Sequence, residues 1–202
     1  MKLTEVLGAG APGPAPVRAA LERMEEWQAL DCAAGPLRQL VRGLPLGDWR
    51  DLLHGVWLGH PLHPALVQLP VGAWTGAAVL DLLPGQRGAA GVLVAVGLAG
   101  AAPAAWAGWV DWAELDERAR RVGLVHAAAN AAGVLCYSAS LLARVRGRAM
   151  RGRVLGFAGL AAVSAGGVLG GHLAYRHAAR SERVDPGDVA EGPAPALPLG
   201  TA

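Results

Sequence analysis

The sequence predicts an all-α integral membrane protein: a four-transmembrane-helix bundle entered through an N-terminal amphipathic, interfacial helical segment. Four apolar stretches, near 64–83, 90–110, 122–143 and 154–175, each approach the ~20 residues that an α-helix needs to cross the hydrocarbon core. Hydrophobic residues make up 53% of the 202 and mean hydropathy is +0.33. Charged residues are only 17%, against about a quarter in a soluble domain, and they gather outside the apolar stretches.

Composition also excludes some functions. A net charge of +2, scattered along the chain, gives no basic footprint for nucleic acid. The two cysteines, Cys32 and Cys136, form no CxxC motif and are not expected to pair. The first twenty residues lack an apolar h-region, so no cleavable signal peptide is predicted and the first span must direct insertion.

Residues 1–14 are rich in Gly, Pro and Ala and are predicted to be disordered. Residues 15–58 are read as the helical lead-in. Within 15–32, Val17, Leu21, Met24, Trp27 and Leu30 recur at helical spacing. Within 36–58, Gly43 and Pro45 divide two short helices, and Trp49 and Trp57 suit the headgroup layer. Residues 59–180 form the membrane domain, and 181–202 a Pro/Gly-rich tail predicted to be disordered.

The first span opens with two His-Pro pairs. Residues before proline favour extended geometry, so His60 and His63 fall off the regular helix and Pro64 takes the first helical position. Pro70 lies inside the span and should kink it. The second span ends in WAGWVDW, whose Trp106, Trp109 and Trp112 suggest an aromatic belt. The third carries His126, Asn130 and Tyr137 on one face, and the fourth ends with His172 and Tyr175. His54 and His177 are expected at the surface. Small residues let membrane helices approach, so Gly72 and Gly76 in the first span, and Gly166 and Gly170 in the fourth, are candidate packing or homodimer faces.

Orientation follows from arginine. The hairpin at 144–153 holds Arg144, Arg146, Arg148, Arg151 and Arg153, which assigns it to the cytoplasm and both termini to the outside of the inner membrane. At that same end Asp81 closes the first span, where a carboxylate opposes the helix dipole. It should pair with Arg144 or Arg146.

A four-span chain brings the start of span one, the end of span two, the start of span three and the end of span four to one membrane face. Those are the positions of His60 and His63, Asp111, His126 and His172. Imidazoles inside a membrane are costly without a purpose. His63, His126 and His172 are therefore candidate ligands of haem b or a transition metal, supported by His60, Asp111 and Asn130. Capping a helix end or bonding a freed carbonyl is the plainer role for each. No Ser-His-Asp order, HExxH or P-loop is present, which points away from an enzyme.

The runs GHPLHPALVQLPVGAWTGAAVLDLLPG, AGWVDW, VHAAANAAGVLCY and GGHLAYRHA, in that order across roughly residues 45–180, resemble the bacterial membrane family catalogued as domain of unknown function 2231. That resemblance implies a membrane unit, found in some relatives beside a Rieske iron–sulfur domain, and hence a Rieske-type or other redox partner. It also implies histidine where this chain has Gln68. The functional expectation is a redox-associated membrane module acting in electron transfer. The alternative is a non-catalytic scaffold or partner subunit packed through glycine faces. Proton-coupled transport is the weakest reading, because no inverted repeat is evident.

Overall fold

The computed structural model describes residues 15–181; the tracts expected to be disordered, 1–14 and all but the first residue of 181–202, lie outside them. The described residues form eight α-helices in order: α1 Ala15–Glu26, α2 Asp31–Gly43, α3 Trp49–His54, α4 Leu62–Leu66, α5 Gln68–Leu82, α6 Arg87–Trp112, α7 Glu117–Val145 and α8 Ala149–Ser181. Four segments are long and apolar enough to cross a membrane: Leu62–Leu82, Arg87–Trp112, Glu117–Val145 and Ala149–Arg176. In cross-section the spans close a ring, α5 on α6, α6 on α7, α7 on α8 and α8 on α5.

The first span is two helices because of Pro70. Proline has no N–H to give the carbonyl four residues back, at Leu66, and the α-helix is interrupted at Val67. The predicted kink is therefore a break three residues before the proline.

Mid-bundle, the Trp74 ring stacks on Tyr137 with centroids 4.2 Å apart and planes 10° from parallel. Val94, Ala77 and Val163 close around the pair. Glycines make this approach feasible. A Cβ on Gly97 would lie 2.2 Å from Trp74 Nε1, and one on Gly133 would lie 2.4 Å from Val163 Cγ1. Trp74 Nε1 donates to the Val94 carbonyl at 3.4 Å.

The lead-in folds back over one end of the bundle. Val17, Leu21 and Met24 of α1 pack on Val122, Val125, Leu169 and Leu173. Trp27 does not join that stripe: α1 ends at Glu26, a 3₁₀ turn resets the phase, and Trp27 is exposed. Leu37 and Val41 of α2 pack on Trp109, Trp112 and Ala113. This overturns the expected aromatic belt in part. Trp106 is 53% exposed but Trp112 only 4%, sealed beneath α2 with its Nε1 donating to the Arg120 carbonyl at 3.0 Å.

The glycine motifs diverge as well. Gly166 and Gly170 face α7, whereas a Cβ on Gly72 would meet nothing within 4 Å and one on Gly76 would meet Leu93 Cδ1 at 3.1 Å. Among the described residues nothing packs against Gly72 at the Cβ position.

Candidate functional site

His63 lies in the first turn of α4, whose N-cap is the extended Pro61 and not His63 as expected. The extended geometry before a proline is spent at His60, so the helix starts two residues early. His63 Nδ1 donates across to the Ala104 carbonyl of α6 at 2.7 Å. Its ring fits because position 108 is glycine; a Cβ there would be 2.9 Å from the imidazole.

His126 makes the matching bond between α7 and α8. Its Nδ1 donates to the Gly166 carbonyl at 2.8 Å. A Cβ on Gly170 would come within 2.9 Å of the ring, and one on Gly166 within 2.6 Å of the Asn130 amide. Asn130 Nδ2 donates to the His126 carbonyl at 2.9 Å and lies 3.3–3.4 Å from the two ring nitrogens, so it fixes the ring's surroundings. The His63 and His126 rings meet edge to face, centroids 6.2 Å apart and planes at 84°.

A carbonyl oxygen can only accept. In the singly protonated imidazole each Nδ1 therefore holds the proton and each Nε2 holds the lone pair. Two outward-directed hydrogen bonds thus set the tautomer of both rings, which is the arrangement that metal-binding histidines use.

The other expected members of the layer go elsewhere. His172 sits two residues beyond Gly170, about 200° further around α8, and turns toward the cap. Its Nε2 lies 2.9 Å from Glu25 Oε1 of α1, and Arg176 pairs with the same carboxylate. Asp111 is engaged by His54, Nδ1 to Oδ1 at 2.7 Å. His54, expected at the surface, is three-quarters buried in that contact. His60 is exposed and bonds the carbonyl of its own neighbour Pro61 at 3.1 Å. The His177 side chain lies outside the described residues. Among the described residues no group of three or more His, Cys, Asp or Glu side chains is placed to hold a metal.

The cap over this layer is pinned by ions. Arg121 grips Asp31 through Nε at 2.8 Å and Nη2 at 2.5 Å, while its Nη1 donates to the Glu25 carbonyl at 2.7 Å. Arg42 takes Glu114 and Arg38 Nε donates to the Ala113 carbonyl at 2.9 Å. Hydrogen bonds from Arg121 hold the Asp31 carboxyl below its usual range, and those from Arg42 do the same for Glu114. Burial pushes Glu25 up, but hydrogen bonds from Arg176 and His172 outweigh it and the net shift is downward. The sequence signal for this cap is the abundance of arginine and acid in both 15–54 and 111–121.

At the opposite end, Arg144 Nη1 and Nη2 donate to Asp81 Oδ1 and Oδ2 at 2.9 and 2.5 Å. Arg144 Nε also donates to Ser140 Oγ at 3.2 Å, and Ser140 Oγ donates to the Gly152 carbonyl at 2.5 Å. Arg146 is exposed and takes no part. The choice between the two arginines is one of helix phase: Arg144 lies one turn below Ser140, on the inner face.

The family described as a predicted membrane protein, DUF2231, matches residues 59–183, which takes in all four spans and leaves the cap outside. No curated protein and no solved structure matches the chain.

Proposed function

This chain belongs to the DUF2231 family of predicted membrane proteins, and from that premise we propose a redox-associated module of the inner membrane whose working part is the His63–His126 pair. The observation that carries the reading is that both imidazoles, 6.2 Å apart, have Nδ1 committed to a backbone carbonyl, which puts the lone pair on Nε2; at His126 the Asn130 amide, 3.3 Å from Nε2, would have to yield that lone pair to a metal. Imidazole nitrogen suits iron, copper, nickel or zinc. The close contacts at Gly108 and Gly170 favour a single ion over a porphyrin, which would need α6 and α8 to stand away from the rings. His63 and His126 would hold such an ion. A bound transition metal would supply one-electron chemistry. The chain's own part is to orient the rings through Ala104, Gly166 and Asn130 and to shut out water with the α1–α3 cap.

In this reading the 144–153 hairpin faces the cytoplasm and the histidine pair lies toward the outer side, where an extracytoplasmic redox protein, a Rieske-type domain among them, would exchange electrons. The test is an absorbance spectrum and metal analysis of protein purified in mild detergent from haem- and metal-replete cells. The expected result is near-stoichiometric metal that His63→Ala and His126→Ala each abolish. A colourless, metal-free wild type would end the reading. The orientation is checked by placing a single cysteine as Arg146→Cys in a Cys32→Ser, Cys136→Ser background. An impermeant reagent applied to intact cells should leave it unlabelled.

A second reading, a non-catalytic scaffold, has its own support. His63, His126, His172 and His54 each bridge two different helices, and Gly166 with Gly170 seats one of those bridges. A metal-free wild type destabilised by His126→Ala would favour it.

A further inference from the structure

The arginine end of the bundle holds a pocket that the histidine reading does not use. Its volume is about 490 Å³, and its lining brings together Asp81, Arg87, Arg144, Arg148, Arg151 and Arg153, from the end of the first span, the start of the second and the hairpin between the third and fourth. Arg144 forms the buried floor and is neutralised by Asp81. Arg87, Arg148, Arg151 and Arg153 have no hydrogen-bond or ion-pair partner among the described residues. Four guanidinium groups around one hollow repel each other; water and salt screen part of that repulsion, and an anion bound there would relieve more of it. Guanidinium forks match phosphate oxygens in geometry as well as charge.

We propose that this pocket binds the phosphate group of an anionic phospholipid. The shared chemistry is a phosphate; the surroundings select the lipid. The pocket lies where the spans end, at headgroup depth, and basic pockets between membrane helices at that level take acidic headgroups. Apolar surface adjoins it: Met150 in its lining is 68% exposed, and Leu82, Leu83 and Val154, which follow the lining residues Asp81 and Arg153 in sequence, are also exposed. A smaller groove of about 100 Å³ shares Arg148 and Arg151 and runs along Leu142, Ala139 and Leu155, giving an acyl chain a wall beside the headgroup. A topology signal alone needs arginines in the loop but no hollow lined by them.

The probes are phosphatidylglycerol, phosphatidylcholine and inorganic phosphate, each added to the detergent-purified full chain. Thermal unfolding and native mass spectrometry provide the readouts. Phosphatidylglycerol should raise the unfolding midpoint by several degrees and remain bound at about tenfold greater occupancy than phosphatidylcholine. Equal effects of the two lipids on the wild type overturn the proposal without any variant. A full shift from inorganic phosphate at the same concentration, with nothing added by the lipid, overturns the lipid assignment in favour of a soluble phosphate. The Arg148→Gln, Arg151→Gln, Arg153→Gln triple variant should lose the selectivity. A charge-matched Arg18→Gln, Arg23→Gln, Arg118→Gln variant should keep it, and equal loss in both would reduce the effect to net charge.

Discussion

The two ends of the bundle use the same residue in opposite ways. At the histidine end Arg38, Arg42, Arg121 and Arg176 are all engaged by carboxylates or carbonyls that tie the cap to the spans. At the hairpin end, among the described residues, Arg144 is the one pocket arginine that is paired, and the others line the same hollow. Counting arginines cannot separate these cases, because both ends carry many. What separates them is whether acids and freed carbonyls lie opposite. Where they do, arginine closes the structure over a buried layer. Where they do not, the charge remains available to something outside the chain.

The largest expected effect comes from the one place where the hairpin end behaves like the histidine end. Asp81 and Arg144 are 4% and 9% exposed, so removing one partner strands a buried charge. Asp81→Ala should cost about 3–5 kcal/mol, and adding Arg144→Met should return much of it. Unfolding in detergent, monitored for both variants, measures this. A loss below about 1 kcal/mol for the single variant would mean the pair is solvated like its exposed neighbours, and the contrast between the two ends would weaken.

A second experiment tests how tightly the histidine layer is seated. Gly170→Ala places a Cβ 2.9 Å from the His126 ring, whereas Gly167→Ala meets nothing within 4 Å. The first should cost about 1–3 kcal/mol by overpacking. The second should be neutral or gain up to about 1 kcal/mol from helix propensity. The His126 imidazole nitrogen resonances should move with the first alone. Equal behaviour of the two variants would show a loosely packed layer.

Much of this was legible in the sequence, for identifiable reasons. The four spans are legible because a hydrocarbon core demands about twenty apolar residues, whatever packs around them. Topology alone placed His63 and His126 at one level. Rotation about the helix axis was not legible: His172 is only two residues from Gly170, yet it faces Glu25. The cap was hidden for a different reason. Its bonds join residues far apart, Arg42 to Glu114 across 72 positions and His172 to Glu25 across 147, and no local periodicity reports such pairs. Trp112 was misread as interfacial for the same cause, since the element that covers it lies some seventy residues upstream.

The cap's attachment should depend on pH with a definite sign. Glu25 faces His172 and Arg176, and its carboxyl titrates below its ordinary 4.5. A depressed carboxylate stabilises the docked state above the unfolded value, and that stabilisation is lost as pH falls through the folded one. Helix α1 should stay docked from neutral pH down to about 4.5 and loosen below it. A nitroxide on Arg23→Cys, at an exposed site on α1, would report the change as increased mobility. Glu25→Gln should be mobile already at neutral pH and show no further step. A flat wild-type response down to pH 3 would assign the docking to the apolar contacts of Val17, Leu21 and Met24.

The smallest effect is expected where an ion pair of the cap is most open to water. Arg42 and Glu114 are 45% and 44% exposed, in contrast to the buried Asp81–Arg144 pair. Water screens such a pair, and ordering two long side chains offsets part of the attraction. Arg42→Ala should therefore cost about 0.2–1 kcal/mol, shrinking further in high salt. Its consequence should be mainly local: faster proteolysis within the α2–α3 connection, with only that small loss of global stability. Because Arg38 still bonds the Ala113 carbonyl, α2 keeps one tie to the second span after the substitution. Removing Arg38 and Arg42 together should free α2 far more than either change alone, since the two contacts restrain one rigid helix. Additive effects would mean instead that α2 is held by Leu37 and Val41 against Trp112, with the ions following the apolar packing.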